Sequence, residues 1–351
     1  MAVGTSASAV QLDQGIDPVE YCHQQGWTDG LPVVPPTPER VRSMLSTVER
    51  DAQEVLGTFP PMGGKTTVEK AAINAVMAGC LPKYFPVVVT AIECLAEREE
   101  SVGVLLTTIH GDAPLIVING PAVKNLGFNA AANTFGPGWR ANSTVGRAVA
   151  LTMRNIAVGP PGQFDVATQT HPGKMTTCIA EFEDASPWPP LHVERGLDDQ
   201  DSAVTVVGAQ GPLLATDMVS ITAEGVLTTL ADSMSIMGTY NIYLGGEVLV
   251  VMSPTPARIL AAEGLSKEDA RDYLWEHARK PLGKLKQGGC YNHQGIVRWP
   301  AWVDTEDDNT LVPVAFRPQD IMIMVAGGEV GSYSSIVFCF GFESTTRRIP
   351  I

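Results

Sequence analysis

The sequence predicts an α/β protein of two similar lobes, with mainly parallel or mixed sheets. Short apolar segments alternate with segments of helical periodicity along most of the chain. The 351 residues exceed the usual size of a single domain. The 34 glycines and 26 prolines are more than an average composition holds, which indicates long irregular connections between the elements.

The first lobe is predicted to span residues 17–185, after a disordered tail at 1–16. Its helices begin at cap residues or at a proline, and its strands are short apolar runs. The predicted elements are a helix from Thr66 to Ala78, a helix over Pro86–Glu99, strands at Val102–Ile109 and Leu115–Ile118, a helix over Ser143–Ile156 and a strand at Thr176–Phe182.

A Pro-rich and then acidic segment, 186–202, is predicted to link this lobe to a second one at 203–351. The second lobe repeats the alternation, with strands at Ala203–Gly208, Val248–Met252, Ile321–Val325 and Ile336–Phe340, and with helices over Ala223–Met234 and from Ser266. Residues 111–122 and 245–257 also align as strand, turn and helix. This similarity indicates either an internal duplication or the chance likeness of β-turn-α units.

The charge balance excludes several classes of partner. The chain holds 24 Lys and Arg against 38 Asp and Glu, a net charge of −14, which does not suit nucleic acid or an anionic membrane. No apolar run is long enough for a transmembrane helix, and the N-terminus does not resemble a signal peptide.

The six cysteines form no CxxC pair and indicate reduced thiols. We expect a cytoplasmic homo-oligomer.

A glycine-rich loop at 135–144 opens onto a predicted helix and suggests an anion site. Backbone N–H groups at a helix N-terminus favour an anion, and guanidinium groups bind carboxylate or phosphate as a planar fork. The alternative is that the arginines pair with the chain's surplus acids. The predicted substrate-binding residues are Asn119, Arg140, Asn142, Arg147, Lys174 and Asp29.

Two sets of side chains could perform the chemistry. In the first, Cys178 is a nucleophile whose pKa Lys174 lowers and whose base is His171; an inert buried thiol is the alternative. In the second, protons are transferred by a carboxylate and an imidazole close in sequence, offered by Glu181, Glu183, Asp184 and His192; a solvated acidic turn is the alternative.

The sequence contains no recognisable cofactor motif. Cys290 and His293 have a spacing that metal ligands can take, but zinc needs three or four ligands, and no further pair completes a set. His110 comes at the end of a predicted strand, where sites of α/β proteins tend to gather. We therefore assign no metal and leave the cofactor undetermined.

Several segments together resemble one bacterial family. They are Gly-Trp-Thr-Asp-Gly-Leu-Pro-Val-Val-Pro-Pro-Thr (26–37), Phe-Gly-Pro-Gly-Trp-Arg-Ala-Asn-Ser-Thr-Val-Gly-Arg (135–147), Ser-Pro-Trp (186–188) and Leu-His-Val-Glu-Arg-Gly (191–196). The family is loosely associated with UGSC-type thiol or selenol proteins, which resemble parts of selenium-dependent reductases. This chain lacks Cys-Gly-Ser-Cys, so the resemblance implies a substrate-binding component whose redox motif lies on a thiol- or selenol-bearing partner.

Three functions follow as hypotheses. The first is an enzyme or enzyme subunit that acts on a small anionic organic molecule with cysteine thiol chemistry. The second is a cofactor-free lyase or hydrolase that uses Glu and His for acid–base catalysis. The third is a non-catalytic subunit that presents a ligand to a thiol or selenol partner.

Overall fold

The computed structural model describes residues 6–293, 295–341 and 343–351. Its α-helices are α1 (Pro18–Gln24), α2 (Pro38–Leu45), α3 (Val68–Ala78), α4 (Phe85–Ala96), α5 (Glu99–Thr107), α6 (Ala122–Leu126), α7 (Arg140–Met153), α8 (Leu191–Glu194), α9 (Ala223–Met234), α10 (Asn241–Leu244), α11 (Pro254–Ala262), α12 (Lys267–His277) and α13 (Leu282–Leu285). Its strands are β1 (Val55–Phe59), β2 (Gly64–Thr67), β3 (Ala113–Asn119), β4 (Cys178–Ala180), β5 (Ala203–Ala209), β6 (Leu213–Thr216), β7 (Val248–Met252), β8 (Arg279–Pro281), β9 (Leu311–Pro313), β10 (Ile321–Val325), β11 (Tyr333–Phe338) and β12 (Thr345–Arg348).

Two four-stranded mixed sheets form the centre of the fold, which confirms the predicted α/β class. The first sheet has the order β12-β5-β3-β4 and the second β10-β7-β11-β6. In each sheet one pair is parallel, β3 with β4 and β7 with β10, and the other pairs are antiparallel. The sheets are therefore mixed, which is one of the two predicted arrangements. The sequence left the choice open because buried strands of either direction have similar apolar sequences.

The two sheets pack face to face and are covered by helices on their outer faces. Successive side chains of a strand point to opposite faces of the sheet. Leu115 and Val117 of β3 accordingly join Leu249 and Val251 of β7 in one buried cluster between the sheets. Ile116 points the other way, into a cluster with residues of α3, α4 and α7. On the second sheet, α9, α11 and α12 complete the outer core.

The chain crosses between the two sheets twice, and each crossing ends in an edge strand. β5 belongs to the first sheet and leads to β6 in the second, while β11 belongs to the second and leads to β12 in the first. The predicted boundary at 186–202 therefore does not separate the sheets, because β5 and β12 lie beyond it and pair in the first one. Counted from its parallel pair, each sheet continues with two antiparallel pairs. Internal duplication stays a prediction.

Several elements match their sequence predictions, others differ in their bounds, and one has the wrong type. Helix α9 and strand β7 have the predicted bounds, and Ser266 forms the predicted capping box with Asp269. The predicted strand Val102–Ile109 is wrong, because these residues belong mostly to α5. Val102, Leu105 and Leu106 are buried, which is the spacing of one helix face rather than the alternation of a strand.

The described part of the predicted tail contacts the body of the protein. The backbone N–H groups of Ser6 and Ala7 donate to Glu69 Oε1, and the Ser6 hydroxyl donates to Glu69 Oε2 at 2.8 Å. Residues 1–5 of the predicted tail lie outside the described residues. The tail from Ser6 onward is therefore anchored at its start to α3.

Candidate active site

A polar cluster lies where the parallel strands β3 and β4 end. Asn119 is the last residue of β3, and Glu181 directly follows β4 and donates its N–H to Ile118 at 3.0 Å. Carboxyl ends of parallel strands are common places for sites in α/β proteins. The next residue, Phe182, donates its N–H to the carbonyl of Val325 at 2.7 Å, so the same edge also meets the end of β10.

The side-chain amide of Asn119 joins two carboxyl groups. Its Nδ2 lies 2.6 Å from Glu181 Oε2 and 3.0 Å from Glu183 Oε1. Glu183 Oε1 also accepts the N–H of Gly120 at 2.7 Å. Gly120 has a φ of 76°, and a Cβ there would lie 2.0 Å from the carbonyl oxygen of Asp201. The turn that presents this N–H therefore requires glycine.

Glu181 is fully buried, and its two carboxyl oxygens differ in their contacts. Oε2 accepts the N–H of Leu191 at 2.8 Å in addition to Asn119. Oε1 has no hydrogen-bond partner among the described residues and lies 4.0 Å from Lys267 Nζ. Burial raises the pKa of Glu181, and Glu183 adds to this, while Lys267, Leu191 and Asn119 oppose it. The net effect is a pKa above that of an ordinary glutamate.

Lys267 is buried at the start of α12, and its charge is shared between several groups. Its Nζ donates to the carbonyl of Pro189 at 2.7 Å and to Glu194 Oε2 at 2.8 Å. Glu194 is also bound by Arg271 at 2.9 Å. The ammonium is therefore neutralised mainly by Glu194, and Glu181 is its more distant neighbour.

His192 completes the cluster from α8. Its side chain is fully buried, and its Nδ1 lies 3.7 Å from Glu183 Oε1, outside hydrogen-bond distance. Neither ring nitrogen makes a hydrogen bond with another described residue. A buried polar group without a partner is costly, and His192 lacks the hydrogen bonds that usually offset this cost.

Three predicted site residues therefore lie in one cluster: Asn119, Glu181 and His192. Glu183, which the sequence offered as a further carboxylate for proton transfer, lies in the same cluster. Lys267 was missed. It comes from a helix that packs against the second sheet, and nothing in its local sequence marks it.

A cavity of about 490 Å³ adjoins the cluster. Its wall includes the acidic side chains Glu181, Glu183, Asp184 and Asp199, the aromatic side chains Phe128, Trp139 and Phe182, and Lys124. Lys124 Nζ is paired with Asp184 at 2.8 Å, so it does not offset the other acids. The lining has an excess of negative charge, which favours a neutral or positively charged small molecule.

The predicted anion-binding arginines bind the chain itself. Arg147 forms a two-bond contact with Asp29, with both hydrogen bonds at 2.7 Å, and also donates to the carbonyl of Pro32. Arg140 donates through Nε and Nη2 to the carbonyl of Gly79. These contacts hold the 26–37 segment and the end of α3 against α7. The alternative interpretation of the arginines, pairing within the chain, is therefore the one that the contacts support.

Asn142 of α7 and Cys178 of β4 are both buried, and a hydrogen bond joins them. The Asn142 side chain accepts the N–H of Asn129 at 2.8 Å and donates to the carbonyls of Asn129 and Cys178. Cys178 is buried in the apolar cluster beneath the helices, and this burial raises the pKa of its thiol. A thiol that resists ionisation is a poor nucleophile, so these surroundings do not favour Cys178 as the reactive group.

Lys174 and His171 do not form the predicted set around Cys178. Lys174 Nζ is paired with Asp165 Oδ1 at 2.6 Å, with both side chains mostly buried. His171 Nδ1 accepts the N–H of Gly173 at 3.2 Å, and the ring lines a separate cleft near the start of β3. Burial lowers the pKa of His171.

The Cys290 and His293 pair lies in a loop between α13 and β9. The N–H of His293 donates to the carbonyl of Cys290 at 3.0 Å, and the Cys290 thiol is half-buried. In the part of the chain that the structure describes, no group of three or more His, Cys, Asp or Glu is arranged to hold a metal ion. Among those same residues, no helix is long and apolar enough to cross a membrane.

Comparison with protein-family models and with curated protein sequences gives no match. The resemblance to the UGSC-associated family therefore stays a prediction from the sequence motifs, and the residues of the site are interpreted from their own geometry.

Proposed function

We propose that the chain is an acid–base enzyme, a lyase or a hydrolase, with its active site at Asn119, Glu181 and Glu183 beside the acidic cavity. The shared amide is the observation that supports this most: one Asn119 nitrogen contacts both carboxyl groups. Glu181 is fully buried, whereas the Glu183 side chain is 27% exposed. Two carboxyl groups in unlike surroundings can act as acid and as base.

Each side chain has a role in this proposal. Glu183, fixed by Asn119 and the Gly120 N–H, takes a proton from the substrate or from a water molecule. Glu181, whose pKa burial raises, holds a proton in this proposal and gives it to the leaving group. His192 is a positioning residue beside Glu183. The proton gained at one carboxyl and the proton lost at the other leave the net charge of the site unchanged.

The substrate in this proposal is a small neutral or cationic organic molecule. The acidic lining supports it, and the arginines predicted to hold an anion are bound to Asp29 and to backbone carbonyls. The aromatic side chains Phe128, Trp139 and Phe182 offer an apolar surface, and a cationic group could also contact their rings. We place the enzyme in the cytoplasm, since none of its six cysteines forms a disulfide.

The proposal is tested with a panel of small amines, amides and amino alcohols in deuterated water. Turnover and deuterium incorporation are followed by NMR for the wild type and for the Glu181→Gln and Glu183→Gln variants. We expect turnover of at least one compound and a loss of about 10²–10⁴-fold in each variant, the range of general acid–base catalysis. Asp184→Asn is the matched control, because Asp184 lines the same cavity but binds Lys124 instead of Asn119.

Two results would overturn the proposal. Turnover that survives in both glutamine variants would show that the chemistry occurs elsewhere. A panel compound that binds the wild type without turnover, and reacts only when a thiol-bearing protein is added, would favour the non-catalytic subunit instead.

A further inference from the structure

A second cluster of titratable side chains lies at the other end of β3. A cleft of about 410 Å³ opens there, and its wall includes His110, His171 and Gln210. Asp112 directly precedes β3, whereas Asn119 ends it. Seven residues of extended chain span about 20 Å, so this cleft is distinct from the acidic cavity.

His110 and Asp112 form an oriented pair. His110 Nδ1 lies 2.6 Å from Asp112 Oδ2, and Asp112 is fully buried while the His110 side chain is 29% exposed. A carboxylate at this distance holds the ring proton on Nδ1, which leaves the lone pair on Nε2. No hydrogen bond to another described residue engages His110 Nε2. The buried carboxylate thus directs the basic nitrogen away from itself.

Two aromatic rings fix the orientation of the His110 imidazole. Its ring centre lies 4.7 Å from that of Tyr240 and 5.9 Å from that of Phe340. Tyr240 and Phe340 are themselves in contact, with ring centres 5.1 Å apart. A catalytic base must be held in place by its surroundings, and these two rings together with Asp112 restrain His110.

The wall of the cleft also offers a donor without a partner. Gln210 Nε2 is buried and makes no hydrogen bond with any described residue. Gln210 follows β5 and lies in the same wall as His110. An amide N–H in this position is satisfied when a ligand brings an acceptor such as a carbonyl oxygen. The cleft therefore combines a base with a donor for a carbonyl group.

We propose that His110 and Asp112 are the general-base pair of a second site, which takes a small ester and hydrolyses it with water. His110 Nε2 takes a proton from water, and the resulting hydroxide bonds to the ester carbonyl carbon. The bond from that carbon to the alcohol oxygen then breaks, and the imidazolium returns the proton to the leaving alcohol. Gln210 donates to the carbonyl oxygen, and Asp112 stabilises the imidazolium.

The probe for this site is 4-nitrophenyl acetate, and nitrophenol release is measured for the full chain. We expect His110→Gln and Asp112→Asn each to lower the protein-dependent rate by about tenfold or more. His277→Gln is the control, because His277 is exposed and stacks on Tyr273 at the end of α12. It should keep the wild-type rate.

A rate that is unchanged in His110→Gln would overturn the proposal, since hydrolysis would then come from scattered surface groups. NMR of ¹⁵N-labelled histidine gives an independent test that does not depend on how well Asp112→Asn folds. The proposal requires the His110 proton on Nδ1 in the wild type. A neutral His110 that carries its proton on Nε2 would contradict it.

Discussion

The contact between Arg147 and Asp29 leads to a prediction about stability. Asp29→Asn keeps the shape of the side chain but removes its charge from two hydrogen bonds of 2.7 Å. The Arg147 and Asp29 side chains are only 14% and 11% exposed. Exposed ion pairs contribute about 0–1 kcal/mol, and breaking a fully buried pair costs about 3–5 kcal/mol. We therefore expect a loss of about 2–3 kcal/mol.

This loss can be converted into a melting temperature. An unfolding entropy of about 2.1 cal/mol/K per residue gives roughly 0.7 kcal/mol/K for 351 residues. The expected decrease in Tm at pH 7 is therefore about 3–4 °C. Differential scanning calorimetry measures it, with Asp232→Asn as the control, because Asp232 is exposed on α9 and forms no ion pair among the described residues.

The effect should also depend on pH. Burial alone would raise the pKa of Asp29, but the Arg147 hydrogen bonds and charge outweigh it and lower the pKa. A lowered carboxyl pKa stabilises the fold above the unfolded-state value, and this stabilisation is lost as pH falls through the folded-state pKa. The difference between wild type and Asp29→Asn should therefore shrink at the lowest pH where the wild type stays folded. Equal Tm values at pH 7, or a gap that does not change with pH, would refute this reasoning.

Three further predictions concern the site and the core. The stability of Glu181→Gln relative to the wild type should increase as pH rises above about 4.5, because a raised carboxyl pKa lowers the stability of the folded wild type there. A difference in unfolding free energy that is the same at pH 5 and pH 8 in urea denaturation would contradict this. Native-state alkylation followed by mass spectrometry should modify Cys290 long before Cys178, and equal rates would show that Cys178 is accessible. Gly120→Ala should lower stability by more than about 2 kcal/mol in thermal unfolding, since its Cβ would meet Asp201, and a wild-type Tm would contradict the turn geometry.

Local signals in the sequence predicted much of the fold. Helix α9 and strand β7 follow from periodicity and from an apolar run, and α12 begins at a capping box. The order and direction of the strands did not follow, because pairing depends on contacts between distant segments. β12, for example, pairs with β5 across about 140 residues of chain.

The site was predictable where neighbouring strands end in polar residues. Asn119 and Glu181 follow two apolar runs, and such ends meet when the strands are parallel. Lys267 was not predictable, because it approaches Glu181 from the other half of the chain. The partner of Arg147 was not predictable for the same physical reason, since Asp29 lies 118 residues before it. The sequence shows which side chains are charged, but it does not show which residues they pair with in the fold.

The protonation of Glu181 at neutral pH is the central claim, and infrared spectroscopy tests it most directly. The difference spectrum between the wild type and Glu181→Gln at pH 7 isolates the bands of this one carboxyl group. We predict that the wild type shows the carbonyl stretch of a protonated carboxyl that the variant lacks, because burial raises the pKa of Glu181. A difference spectrum that contains only ionised carboxylate bands would contradict the proposed role of Glu181 as the proton donor.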